Sequence, residues 1–360
     1  MSTIAKLNIS HIRNIAQAQI EPTGTINLFY GENGSGKTSV LEAIHLLGTG
    51  RSFRSSKLVP VISHEEDEAI IFAELHQGSQ IGLIKSRRKK HQLKLSKETQ
   101  KNWENVAREL PVQILDSNSF LLLEGGPKSR RRFLDWGVFH VEPTFVHSWR
   151  RSRKSIANRN LLLKQSRLDE GQLRAWDEEL SISAKEVDSA REKYFESFLP
   201  LFWKTYKSLS GSHSDELEIS YDRGWGFDQD LSDVLLINRM IDARYGATQS
   251  GPHRADISLM LGKSKAVEIL SRGQQKILVS ALKIAQGGLL TQALDRQCIY
   301  LVDDLPSELD RDNRAAVFAQ LLALGGQMFI TCVDLSAVMD CIPQPPEIAT
   351  FHVERGIITA

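Results

Sequence analysis

Several features that usually give a protein away are scarce in this chain. Its 360 residues hold three cysteines, Cys298, Cys332 and Cys341. The number is odd and the spacings fit no zinc pattern. Cys298 and Cys332 sit in apolar, strand-like runs, so buried reduced thiols of a cytosolic protein are expected. Charge of one sign is lacking too: 45 Lys and Arg against 44 Asp and Glu leave a net charge of +1. A protein that coats DNA passively would usually be more basic; any nucleic-acid contact must come from local patches or be assisted by another ligand. No apolar run approaches the roughly 18 residues of a membrane span, and the opening MSTIAKLNISHIRN has no signal-peptide core. The expectation is a soluble, cytoplasmic protein without membrane partners. There is no internal repeat, no low-complexity tract, no RNA-type aromatic motif and no groove-reading helix. Recognition of DNA would therefore run through backbone and shape, not base sequence.

What is present is an α/β pattern interrupted by a helical stretch. Ile4, Leu7 and Ile9, then Ile20, then Ile26, Leu28 and Tyr30 alternate as strands do, and residues 67–96 read as further strands. Between them a Gly-rich loop precedes a helix over Thr38–Leu47. From about 116 the periodicity becomes helical. Pro127 suits an early helix position, and a second helix begins near 143. A third is expected over 172–199, with Leu173, Trp176, Leu180, Val187, Ala190 and Tyr194 at a/d-like positions. Pro200 should end or kink it. These helices predict a short antiparallel arm. Residues 211–250 are mixed and uninformative. Beyond them strand and helix alternate again, with ADISLML, CIYLVDD and QMFITCV as buried strands. The expected organisation is a split ATPase head over 1–115 and 245–360, with a mostly helical arm over 116–244 inserted.

The loop reads GENGSGKT: Gly31, Glu32, Asn33, Gly34, Ser35, Gly36, Lys37 and Thr38. This is the G-x-x-x-x-G-K-[ST] pattern, with a strand before it and a helix after. Glycines let the backbone curl so that its N–H groups converge on phosphate, and the helix start adds its positive dipole end. Lys37 would reach the β- and γ-phosphates, and Thr38 would supply a Mg²⁺ ligand. The cofactors expected are therefore ATP and Mg²⁺. An apolar strand ending in Asp303 and Asp304 reads as the acidic partner of such a loop. Asp303 would hold the metal, and Asp304 would orient or deprotonate the attacking water.

The class comes from resemblance. LSRGQQ at 270–275 is similar to the ABC signature LSGGQ, which implies that Ser271, Arg272, Gly273 and Gln274 meet ATP held by another subunit. Locally the same residues are also an ordinary serine helix start. Arg272 departs from the usual glycine. Ser307 to Asp310 resembles the ABC D-loop. No histidine follows the next strand, and Thr331 is the candidate replacement for the switch residue, an exchange that implies slow hydrolysis. For the Q-loop, Gln113 is the candidate. The resemblance makes this an α/β, P-loop, ABC-type ATPase head with an inserted helical arm, acting as an ATP-dependent homodimer.

The stretches LEAIHLLGTGRSFR, LEGGPKSRRRFLDWGVFHVEP, SGPHRADI, SRGQQKILVSALKIAQ and LVDDLPSELD are spread over most of the chain. Together they resemble the RecF family of bacterial recombination-repair ATPases. The resemblance implies ATP-dependent, sequence-independent binding of single- and double-stranded DNA at gaps or junctions, with weak DNA-stimulated ATPase activity. It also implies partnership with RecR and RecO in loading RecA, and support of replication restart and the SOS response. The residues themselves say less about DNA. Arg87, Arg88, Lys89 and Lys90 head a basic stretch over 85–101 that could bind phosphates or merely guard an edge strand. Arg130–Arg132 and the basic cluster from Arg150 read as solvated helix faces. Two other classes stay in view: a transporter nucleotide-binding subunit, which would normally keep the switch histidine, and an anti-phage ABC ATPase with a DNA-independent target.

Overall fold

Nearly continuous apolar runs call for burial on both faces, and alternating runs for burial on one. Both kinds occur in a computed structural model of the chain, which describes residues 3–55, 57, 59–165, 168–210, 216–304, 309–342 and 347–360. The chain divides into two units. The first comprises residues 1–119, 204–210 and 272–360; the second comprises 120–203 and 211–271.

In the first unit, β1 (Ile4–Ile12), β2 (Ile15–Ile20), β4 (Glu68–Leu75), β5 (Gln80–Ser86), β6 (Gln92–Leu95) and β7 (Glu98–Thr99) form an antiparallel sheet in the order β2-β1-β4-β5-β6-β7. A second sheet has the order β15-β14-β3-β13-β12-β8. It contains β3 (Ile26–Tyr30), β8 (Val112–Leu115), β12 (Ile299–Asp303), β13 (Met328–Cys332), β14 (Ile348–Glu354) and β15 (Ile357–Thr359). All its pairings are parallel except that of β14 with β15. Helix α1 (Lys37–Thr49) packs against strands of both sheets and is buried along almost its whole length. Hence its VLEAIHLL run, apolar except for Glu42 and His45. A single apolar core joins both sheets through Leu41, Ile44, Leu47, Ile71, Leu301 and Phe329. Cys298, Cys332 and Cys341 are free and buried, as expected.

Of the helices that follow, α2 spans Glu104–Glu109, α3 Leu121–Glu124, α4 Pro127–Val141, α5 Phe145–Leu163, α6 Glu170–Ser210, α7 Leu231–Ile237, α8 Arg239–Tyr245, α9 Ala266–Ile269 and α10 Arg272–Leu294. The second unit is not wholly helical: β9 (Leu217–Asp222), β10 (Asp256–Leu261) and β11 (Ser264–Lys265) make a three-stranded sheet, ordered β11-β10-β9. Residues 245–271, expected in the head, group with this unit because β10 pairs along its full length with β9. Pro200 does not end α6. A proline inside a helix costs about 3 kcal/mol, and the buried ladder Tyr194, Phe198, Phe202, with 6.0 Å between successive ring centroids, holds the helix through it. Contrary to the reading of apolar runs, α10 is long and apolar enough by composition to cross a membrane; 67% of that window is buried in the fold, as in a core helix.

Candidate functional site

At the carboxyl ends of parallel strands an α/β sheet presents its loops and helix starts, and ligand sites collect there. Three adjacent strands place their last residues in one row: Asp303 of β12 lies in register with Thr331 of β13. On the other flank, Val302 pairs with Leu115 of β8, which puts Asp116 beside Asp303 at the next step. The loop 31–38 leaves the end of β3, next to β13.

The glycine loop is shaped by steric demands. Gly31, Gly34 and Gly36 have φ of 144°, 81° and 121°. A Cβ on Gly31 would lie 2.3 Å from the carbonyl oxygen of Val353, so that position admits only glycine. The Lys37 Nζ donates to the carbonyls of Gly31 (2.7 Å) and Glu32 (2.8 Å), drawing the loop around it. Burial lowers the pKa of Lys37, opposed by the negative charges of Asp304 and Asp303. Thr38 Oγ1 donates to Asp303 Oδ1 at 2.8 Å, and Thr331 Oγ1 donates to the same oxygen at 2.8 Å. Thr331 also accepts from the Asp304 backbone N–H at 2.9 Å. This buried hydroxyl thus fixes both acids, and Asp304 takes a left-handed φ of 54°, which aspartate tolerates. Burial raises the Asp303 pKa; hydrogen bonds from Thr38 and Thr331 pull it down, and Asp116 adds a like-charge push.

A cavity of about 320 Å³ opens over these groups, lined by Asn33, Gly34, Gly36, Lys37, Thr38, Ser39, Asp304 and Thr331, together with Arg13, Asn14 and Arg54. Arg13 and Asn14 carry no sequence signal, because they are brought in by tertiary contact, whereas Arg54 closes the LEAIHLLGTGRSFR stretch. Glu42, fully buried on α1, receives a two-pronged pair from Arg13 at 2.8 and 2.7 Å and lies 3.7 Å from Arg54. It also accepts from the Ser52 hydroxyl. One carboxylate therefore holds two guanidinium groups at the cavity wall. Asn14 donates to the carbonyls of Gly34 (3.2 Å) and Ser35 (3.0 Å) and accepts from Ser39 (3.1 Å), clamping loop to helix. Behind the loop, the Gly356 N–H donates to the Ser35 carbonyl at 2.7 Å.

Other candidates fall elsewhere. Gln113 is buried, and its amide donates to Gln286 at 2.7 Å, so it is a core residue. Asp116 holds the strand end instead: its Oδ1 accepts from Ser119, and its Oδ2 is buried with no hydrogen-bond partner among the described residues. Lys283 of α10 reaches the Ile114 carbonyl and the Ser119 hydroxyl nearby. Ser271, Arg272, Gly273 and Gln274 are exposed at the start of α10 and are not part of the cavity lining. Asp310 caps the helix Arg311–Ala323, accepting from the Asn313 N–H at 2.9 Å. Ser307 lies outside the described residues. In the basic hairpin, Arg87 donates to the Ile62 and Ser63 carbonyls, and Arg88 pairs with Asp67 at 3.1 Å. Lys89 and Lys90 are exposed. Lys85 is buried against the Trp103 ring and donates to the Gly50 carbonyl. In the second unit Arg130 pairs with Asp256, Arg131 donates to the Ala255 carbonyl, and Arg151 pairs with Glu179 and Glu186. Those three arginines serve the fold.

The two-sheet head, its glycine loop at a helix start and the acids on the neighbouring strand define the class: an α/β P-loop head of the ABC type, with an inserted, largely helical second unit. Residues 3–358 match the family described as RecF/RecN/SMC N terminal domain. The chain is 45% identical to the DNA replication and repair protein RecF of Pseudomonas paraeruginosa, over 99% of this chain and 97% of that one. It is 46% identical to the RecF of Pseudomonas fluorescens over 99% and 98%. A solved structure of the recombination mediator protein RecF-ATP in the RecFOR pathway superposes with a TM-score of 0.87 at 25% identity, covering 99% and 97% of the two chains. An Smc head bound to the C-winged helix domain of ScpA shares the fold at a TM-score of 0.59 and 15% identity. The chain belongs to the RecF family.

Proposed function

We propose that this protein is a Mg²⁺- and ATP-dependent DNA-binding ATPase of recombinational repair. The observation that carries the reading is the convergence of Lys37, Thr38, Asp304 and Thr331 on one cavity at the strand ends, with Asp303 bonded to the hydroxyls of Thr38 and Thr331 behind them. The residues suit the cofactors. The loop is curled by glycines where a Cβ would collide, and the hydroxyl of Thr38 with the carboxylate of Asp303 forms the hard-oxygen donor pair that Mg²⁺ prefers. When bound, Mg²⁺ would neutralise phosphate charge. Around it, Lys37 and the loop N–H groups hold the β- and γ-phosphates, with Arg13 and Arg54 as further cations at the wall. Asp304, fixed through its backbone to Thr331, orients the attacking water or takes its proton. Thr38 and Asp303 would hold the metal.

The relatives are named DNA replication and repair proteins, and one solved relative carries ATP in a RecFOR pathway. We carry over from them DNA as partner, RecR and RecO as co-workers, and a homodimer in which Ser271, Arg272, Gly273 and Gln274 of one copy close on the nucleotide of the other. With them we carry over, from the resemblance to the ABC D-loop, Ser307 and Asp310 as parts of the same interface. ATP binding then favours the dimer by mass action, the dimer clamps gapped DNA, and slow hydrolysis releases it. Loading of the recombinase, replication restart and SOS support follow from that timing, in the cytoplasm. DNA contact falls to the hairpin around Lys89 and Lys90, with Arg87 and Arg88 at its base. The test is Asp304→Asn. Sedimentation with ATP and gapped duplex should show a dimer that outlives the wild-type one, with turnover lowered on the order of a hundredfold or more. An unchanged mass with ATP and DNA in both proteins would end the reading.

A further inference from the structure

The chain from Leu231 to Tyr245 is almost one helix. Only Asn238 separates α7 from α8, and the ladder continues through it: Asn238 N–H to the Val234 carbonyl at 2.9 Å, Asp242 N–H to the Asn238 carbonyl at 2.8 Å. Its inner face is occupied. Leu231, Val234 and Leu235 pack with Leu180, Ala184 and Trp225, and Asp242 is buried in an ion pair with Arg159. Its outer face is apolar as well. Ile237 is 74% exposed and Met240 81%, with Leu236, Ile241 and Tyr245 also exposed. Among the described residues sixteen large apolar side chains are exposed, and five of them lie on this one stretch. Single exposed apolar residues are ordinary, whereas a contiguous apolar face on a helix already buried on its other side marks a contact.

The order of residues along the face says what covers it. Positions 233, 236, 237, 240, 241 and 244 are spaced by three, one, three, one and three, a stripe that reads the same in both directions. Its ends carry opposite charge, Asp233 and Arg244, both exposed, and among the described residues neither has a recorded ion pair. We propose that a second copy of this chain docks here, helix against helix, antiparallel about a twofold axis. In that register Asp233 meets the other copy's Arg244 at both ends, Leu236 meets Ile241, and Ile237 meets Met240. The two charge pairs lie about 17 Å apart along the helix. An isologous contact must be self-complementary, and a stripe that is symmetric in shape and antisymmetric in charge satisfies that. The face lies wholly in the second unit, so this association needs neither the nucleotide cavity nor the α10 start. It stands apart from the ATP-dependent dimer proposed above.

The test uses the full chain without nucleotide, in sedimentation velocity across a concentration series at low salt. Wild type should show a concentration-dependent dimer, and Ile237→Asp should abolish it. Asp233→Arg and Arg244→Asp should each weaken it about tenfold, and the double reversal should restore it, since the two pairs are re-formed with exchanged sign. All three sites are exposed, so thermal melts of these variants should coincide and exclude misfolding. A chain carrying Lys37→Ala should dimerise through this face as wild type does, which separates the contact from the ATP-dependent one. A wild-type monomer at every concentration, or a double reversal no better than the singles, overturns the proposal; so does capture of the face by a different protein while the chain itself stays monomeric.

Discussion

Arg159 and Lys37 are buried cations in different units, and their surroundings differ in one respect. Arg159 is enclosed. It donates to Asp177 and Asp242 at 2.6 Å each and to the Thr248 hydroxyl at 3.0 Å. Arg191 is treated in the same way, with Asp135 and the Pro252 carbonyl as partners. Both of these buried guanidinium groups are closed onto carboxylates. In the head Lys37, Asp304 and the guanidinium groups of Arg13 and Arg54 line the cavity instead. Burial of charge therefore does not by itself locate a functional site in this protein. What separates the two regions is whether the hydrogen-bonding capacity is spent inside the fold or left pointing into a space that a ligand can enter.

Three substitutions test that contrast. Arg159→Ala leaves Asp242 buried without its counter-charge and Asp177 with only Arg239 at 3.7 Å, and should remove about 3–5 kcal/mol of stability, read by denaturant unfolding, while ATP affinity of the folded protein stays unchanged. A loss of under about 1 kcal/mol would mean that water or relaxation replaces the network. Asn14→Ala should do the reverse. Loosening the clamp on Gly34, Ser35 and Ser39 should weaken Mg·ATP binding about tenfold in calorimetric titration, equivalent to about 1.4 kcal/mol, with the melting temperature nearly constant. The smallest effect concerns Lys283, whose pKa burial lowers from 10.5 to about 8. Between those values the unfolded chain binds more protons than the folded one, so this site adds stability as pH rises through that window. The melting temperature of wild type should gain on that of Lys283→Met from about pH 8 to about pH 10.5. A constant offset would show that the amine keeps its ordinary pKa.

Phosphate chemistry was legible because it is local: a glycine loop and its helix are one stretch of chain, and Asp303 ends a strand whose apolar run announces it. Arg13, Asn14 and Asp116 were not legible, since their roles depend on where β1 and β8 end relative to α1 and β12. Gln113 misled for a related reason. A glutamine near a strand end can point either way, and here it pairs with Gln286 in the core. Residues 211–250 gave no period because they mix a strand with a helix that is apolar on both faces, which erases the usual amphipathic contrast. Pro200 was read by its local cost alone, and the aromatic ladder that offsets it draws on α4 as well, where Phe133 meets Phe198 edge-on.

The backing of the glycine loop by the β14–β15 hairpin has a bearing on synthesis. Gly31 lies against Val353, and Ser35 is tethered by Gly356, more than three hundred positions later. A growing chain on the ribosome carries the whole loop early and lacks its support until residue 356 has emerged. A chain cut before the hairpin retains the motif but lacks both of these contacts to it.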